Sequence, residues 1–182
     1  MPPNSPTILY SARLALRRPD SRDIAALFSI YGDPATNTFN PAGPYRSVAE
    51  AEITMERWLR QWEQYGFGQW ALSLKEDPGQ VIGFGGLTFA RFGERDKVNL
   101  GYRFATSVWG QGLATELSAH ALAFGFATLE LEQIWALVRE THQASRRVLE
   151  KVGLVQVDKV AEPLGGAGSV IYALSRAAYQ PA

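Results

Sequence analysis

The sequence predicts a mixed α/β fold built as one domain over residues 1–182. Three observations carry that prediction. Strand-like and helix-like runs alternate along the whole chain without an internal repeat or a linker. Three strand-like runs between residues 66 and 106 are separated only by short turns, which predicts an antiparallel meander. A strand, a helix and a second strand then follow between residues 98 and 138, which predicts a parallel pair joined by a right-handed crossover.

Residues 1–7 hold three prolines and little apolar material, the composition of a flexible leader. ARLALRR (12–18) alternates as a short strand. Residues 20–33 start with Asp20 or Ser21 as N-cap and space Ile24, Leu27 and Phe28 as a helix does. PATNTFNPAGPYR (34–46) is long for a connection inside a domain, so it is a candidate binding segment. From Ser47 to about Tyr65, the residues Ala51, Met55, Trp58, Leu59 and Trp62 share one helical face, and Ser47 with Glu50 reads as a capping box.

GFGQWALSLKED (66–77), VIGFGGLTFAR (81–91) and KVNLGYRFAT (97–106) are the three meander strands, turned by DPGQ and GERD. Leu113, Leu117, Ala121 and Phe124 mark the buried face of a helix ending near Thr128. QIWALV (133–138) is a short buried strand, and THQASRRVLEKVG (141–153) a helix with a threonine cap and a glycine stop. LVQVDKVA and SVIYALS, parted by GGAG, read as a closing hairpin. The total is seven strands and about four helices.

Composition narrows the function. At 182 residues the chain has the length of one domain, and such a chain buries roughly 70% of its unfolded surface. It contains no cysteine, so disulfides, a thiol nucleophile and cysteine metal sites are excluded. Eighteen basic residues balance eighteen acidic ones, which is not the footprint of a nucleic-acid binder. No apolar run approaches the ~20 residues of a membrane span, and the start lacks the apolar region of a signal peptide. The expectation is a cytoplasmic protein with no nucleic-acid, membrane or metal partner.

The junction SVWGQGLATE (107–116) raises the chemical question, because two glycines stand one residue apart where a strand gives way to a helix. A helix start presents unpaired N–H groups and a partial positive charge, which suits phosphate. Glycines would clear the approach, and a tight structural turn explains them equally well. The Walker A string G-x-x-x-x-G-K-[ST] is absent. The dinucleotide fingerprint fails because Thr115 stands where its third glycine belongs.

WGQGLATE (109–116) resembles the acetyl-CoA pyrophosphate loop of the GNAT acyltransferase superfamily, [QR]-x-x-G-x-[GA], mapped as Trp109-x-x-Gly112-x-Ala114. Tryptophan in the first position is the form typical of the branch of ribosomal-protein N-terminal acetyltransferases (RimJ/RimL-like). ARLALRRPDSRDIAALF, YGFGQWAL, VIGFGGL and HQASRRVLEKVGL resemble further segments of that branch, in the same order. The resemblance implies a mostly antiparallel sheet with one splayed parallel pair. It also implies direct transfer of acetyl from acetyl-CoA, the co-substrate, to a primary amine in a ternary complex. The acceptor would be a protein N-terminus or a small molecule, and the enzyme a monomer or homodimer.

The resemblance carries roles onto residues. The Phe104 N–H would meet the thioester carbonyl, with Ala105, Thr106 and Trp109 beside it. The N–H groups of Gly110, Gln111, Gly112, Leu113, Ala114 and Thr115 would hold the pyrophosphate. Ser145 would protonate or hydrogen-bond the departing thiolate, and His142, where the family usually has asparagine, would contact the cofactor. Arg146, Arg147 and Lys151 are candidates for the 3′-phosphate or a solvated basic face, while His120 reads as packed structure. Asn37, Phe39 and Tyr45, with Trp70 and Tyr102 on central strands, are candidates for the acceptor site. Asn99 stands where many relatives carry glutamate and cannot act as a base, so no base is assigned. The alternative reading is a non-catalytic acyl-CoA-binding or sensor domain.

Overall fold

The computed structural model describes residues 8–161 and 168–181. The leader 1–7 and most of the turn expected at 165–168 lie outside the described residues. Among the described residues there are eight strands and four α-helices. The strands are β1 (Ile8–Tyr10), β2 (Leu14–Arg17), β3 (Gln69–Leu74), β4 (Gly83–Phe92), β5 (Arg95–Phe104), β6 (Gln133–Arg139), β7 (Val155–Val160) and β8 (Ser169–Ser175). The helices are α1 (Ile24–Gly32), α2 (Val48–Tyr65), α3 (Leu113–Ala127) and α4 (Gln143–Lys151). The sheet order is β1-β2-β3-β4-β5-β6-β8-β7. The sequence predicts seven strands; the eighth is β1, three residues beside the proline-rich leader that pair with β2 in antiparallel register.

The backbone divides into two compact units, Met1–Gly86 with Tyr102–Leu113, and Leu87–Gly101 with Ala114–Ala182. In the first, β2, β3 and β4 are antiparallel neighbours, and Leu27, Ile30, Ala51, Met55, Trp58, Ala71 and Phe84 form a core of α1, α2 and sheet residues. Asp20 caps the turn before α1 in a reciprocal capping box with Asp23, whose carboxylate also takes both arms of the Arg17 guanidinium at 2.8 and 2.6 Å. The box expected at α2 does not form. Ser47 holds the N-cap backbone position without a side-chain bond, because the Glu50 carboxylate reaches past it to accept the Arg46 N–H at 2.6 Å. Gly66, at φ 73°, ends α2 in the left-handed conformation.

In the second unit, β6 and β8 pair antiparallel over seven residues, and β7 follows on β8 with an irregularity between Gln156 and Asp158. The buried residues of α3 are Leu113, Leu117, Ser118, Ala121, Leu122, Gly125 and Phe126; Phe124 is only half-buried, since the interior-facing stripe drifts past it. His142, not Thr141, takes the N-cap position of α4. Gly153 stops that helix at φ 94°, as its sequence position predicts.

Candidate functional site

In the second unit the parallel pairing of β5 with β6 is confined, among the described residues, to Asn99 opposite Trp135. In a continuing parallel ladder the Leu137 N–H would donate to a β5 carbonyl. It donates instead to the Asn99 side chain, N to Oδ1 3.1 Å. Asn99 therefore serves as a backbone acceptor where the ladder stops, a role an amide fills without carrying charge.

The end of β5 lies in the first unit. The Ala105 N–H donates to the Ile82 carbonyl at 2.8 Å. Backbone groups of successive strand residues point to alternate edges, so the Phe104 N–H and C=O lie on the edge away from that bond. The Phe104 carbonyl accepts the indole N–H of Trp109 at 3.0 Å. That bond closes a short turn, Thr106–Val108, in which the Val108 and Trp109 N–H groups return to Ala105 and Thr106. Trp109 is 52% exposed, so its ring is not held by core packing. The donor on its ring is what ties the loop to the strand.

Gly110 and Gly112 both sit at φ 77°, a conformation that other residues adopt at a cost of about 1–2 kcal/mol. A Cβ at Gly110 would meet nothing within 4 Å, and one at Gly112 only the Arg13 guanidinium at 3.8 Å. The glycines are thus required by backbone conformation, and they leave the exposed loop open to close approach. Arg13 also donates to the Gln111 carbonyl at 2.9 Å, placing a cation beside the loop that leads into α3. Helix start, bare backbone and guanidinium together favour an anion. Leu113 is buried and anchors the helix start, while Ala114 and Thr115 are half-buried in its first turn.

The first turn of α4, in the second unit, carries half-buried Ser145 three residues after His142. Burial pushes the His142 imidazole below its ordinary value, so it is neutral at neutral pH. Arg146 is committed elsewhere. Its guanidinium donates to the Tyr172 hydroxyl at 3.1 Å, the Glu140 carbonyl at 3.2 Å and the Gln156 side chain at 3.3 Å, and Tyr172 donates in turn to Glu150 at 2.7 Å. Arg147 and Lys151 remain exposed on α4. His120 is half-buried and also held below its ordinary value by burial, against a smaller opposing effect of Glu116.

The acceptor candidates all lie in the first unit, and the structure separates them. Trp70 is 1% exposed and belongs to the core, with its ring centroid 6.5 Å from that of Trp62. Tyr45 is tied inward, its hydroxyl 2.7 Å from that of Thr54. Asn37 is 5% exposed and its amide is fully used: Nδ2 donates to the Tyr31 and Asp33 carbonyls, and Oδ1 accepts from Asn40 and from Arg103. Phe39 is exposed and Tyr102 half-buried, its ring 6.5 Å from that of Phe104. Sequence reasoning missed Arg103 and Tyr31. The guanidinium lies 4.1 Å over the Tyr31 ring, and burial pushes that phenol up to about 12. The signal was a single arginine in the apolar strand end LGYRF.

A family model described as an acetyltransferase (GNAT) domain matches residues 13–155. The uncharacterized protein YkkB of Bacillus subtilis (strain 168) is 31% identical over 157 residues, 83% of this chain and 87% of that protein. The spermidine N-acetyltransferase of Vibrio cholerae, solved in complex with CoA and spermine, superposes with a TM-score of 0.75 at 19% identity, over 91% of this chain and 97% of that one. The ribosomal-protein-S5-alanine acetyltransferase of Vibrio fischeri superposes with a TM-score of 0.73 at 16% identity, over 96% and 99%.

Proposed function

Since the chain belongs to the acetyltransferase (GNAT) domain family, we propose that it transfers acetyl from acetyl-CoA directly to a primary amine. The observation that carries this reading is the loop at Gly110 and Gly112. Two left-handed glycines leave its backbone bare at the start of α3, with the Arg13 guanidinium alongside. The N–H groups from Gly110 to Thr115 hold the pyrophosphate. The Phe104 N–H, on the edge of β5 away from Ile82, donates to the thioester carbonyl and stabilises the oxyanion formed on attack.

In the reaction the amine nitrogen bonds to the acyl carbon and the C–S bond breaks. The products are an N-acetyl amide and the CoA thiol; of the two protons the ammonium nitrogen gives up, one leaves to solvent and the other replaces the one taken up by the sulfur. Ser145, in the first turn of α4, supplies the proton or hydrogen bond that the departing sulfur needs. The order of matching segments, and likeness to the Vibrio fischeri enzyme, support a place near the ribosomal-protein branch. Likeness of the same degree to a spermidine enzyme leaves the fold neutral between a protein α-amine and a small amine.

The test is free-thiol release from acetyl-CoA with a panel of short peptides, free amino acids, polyamines and aminoglycosides. The expected result is turnover with one class, cut about tenfold or more in kcat by Ser145→Ala with KM for acetyl-CoA little changed. Binding of acetyl-CoA with no thiol release from any amine would overturn the reading.

A further inference from the structure

We propose that the acceptor carries a carboxylate near its reactive amine, and that Arg103 binds that carboxylate. The proposal rests on the acetyl-transfer reading above and names its substrate class. Arg103 is a half-buried cation whose partners are neutral groups. Arg17, Arg18, Arg22, Arg60, Arg91 and Arg176 each lie within 4.0 Å of a carboxylate, while Arg146, like Arg103, is held by neutral groups but already uses each of its guanidinium nitrogens. Among the described residues Arg103 pairs with no carboxylate; its contacts are the Asn37 amide oxygen at 2.7 Å and the Tyr31 ring at 4.1 Å. Removing a guanidinium from water without an opposite charge is costly, and a bound carboxylate would supply that charge.

The guanidinium is also aimed in advance. Asn37 donates through Nδ2 to the Tyr31 and Asp33 carbonyls, which fixes its Oδ1 toward Arg103. With Nη1 held there and the guanidinium carbon over the Tyr31 ring, the remaining N–H donors keep their fork geometry for a bidentate carboxylate. Arg103 directly precedes Phe104, whose N–H is assigned to the thioester carbonyl. It rests on Tyr31 of α1 and on Asn37 in the loop after it, and the family resemblance places that loop beside the acceptor.

A cation at this place has two chemical effects. It repels a polyamine, whose charges are all positive, and attracts an amine that also bears an anion. It further lowers the proton affinity of a nearby amino group, because a like charge disfavours the ammonium form. Loss of that proton is required before attack, and no residue of the chain has been assigned as base.

The experiment compares amino acids and dipeptides with their own carboxamides, and with spermidine, by thiol release from acetyl-CoA. The expected kcat/KM for the acids is about tenfold or more above that of the amides, with spermidine lowest. Arg103→Gln removes most of that ratio through KM for the acids, leaving the amides within about twofold; Arg103→Lys restores part of it. Equal turnover of acids and amides, or equal losses for both in Arg103→Gln, would overturn the proposal and leave Arg103 a strut for Asn37.

A second arm uses products and needs no turnover. N-acetyl amino acids and N-acetyl amino-acid amides are titrated onto the CoA-loaded protein by chemical-shift mapping. Selective binding of the acids, lost in Arg103→Gln of unchanged melting temperature, supports the proposal. Absence of any preference overturns it. Silence of every amine in the first arm with acid-selective binding in the second would defeat the acetyl-transfer reading while sustaining the anion site.

Discussion

Leu137 on β6 donates its backbone N–H to the side chain of Asn99 on β5, at 3.1 Å, one step beyond the register pair of Asn99 with Trp135. A side chain thus takes the place of a backbone carbonyl at the end of the parallel ladder. Asn99→Ala leaves the Leu137 N–H without that acceptor and is expected to cost about 1 kcal/mol in urea denaturation. Asn99→Asp keeps an acceptor oxygen and should cost less. The direct readout is hydrogen exchange at the Leu137 amide, faster in the alanine variant; unchanged protection there would refute the assignment.

Trp109 ties its loop to β5 through one hydrogen bond to the Phe104 carbonyl. Trp109→Phe keeps an aromatic ring and deletes the donor. Because the ring is mostly exposed, global stability should fall by only about 0.5–1.5 kcal/mol. The loop proposed to hold the pyrophosphate would lose its tether, so KM for acetyl-CoA should rise about threefold to tenfold with kcat nearly constant. An unchanged KM would mean that the loop holds its shape without Trp109.

Gly110 separates backbone strain from crowding, since a Cβ there meets nothing within 4 Å while φ is 77°. Gly110→Ala should therefore destabilise by about 1–2 kcal/mol from conformation alone. Gly110→Asn should cost less, because asparagine tolerates the left-handed region. Thermal or urea melts of the pair decide the matter: an asparagine variant worse than alanine would point to steric exclusion instead.

The parts of the fold that were legible in the sequence are those set by local periodicity. Leu14 and Leu16, spaced by two, gave β2, and Ala51, Met55 and Trp58 gave the face of α2. Gly153 marked a helix end, and it sits there in the left-handed conformation, whereas Gly66, read as the start of a strand, ends α2 in the same conformation. β1 was hidden: three residues beside a proline-rich stretch carry too little pattern to read. The site divided the same way. The glycine loop has a local signature, whereas the contact of Arg103 with Asn37 joins residues 66 apart and leaves no trace in spacing. Ser47 and Glu50 fit a capping box in spacing alone, and a rotamer choice sent the carboxylate to Arg46.

Acid should destabilise the protein in a window that belongs to its two histidines. Burial lowers both His120 and His142 from 6.5 in the folded state, so the unfolded chain binds protons that the folded chain resists. Stability is then full above about pH 6.5 and falls with pH below it, until the folded-state values are passed. The shifted carboxylates act lower down. Asp20, held at about 2 by its bond to Arg22, loses its contribution only below its ordinary 3.8, and Glu140, lowered by Lys159, only below 4.5. Urea midpoints measured between about pH 5 and 7 should decline toward acid in the parent chain. The decline should shrink in His142→Gln and again in His120→Gln/His142→Gln. A flat profile in the parent, or an undiminished slope in the double variant, would place the acid sensitivity in other groups.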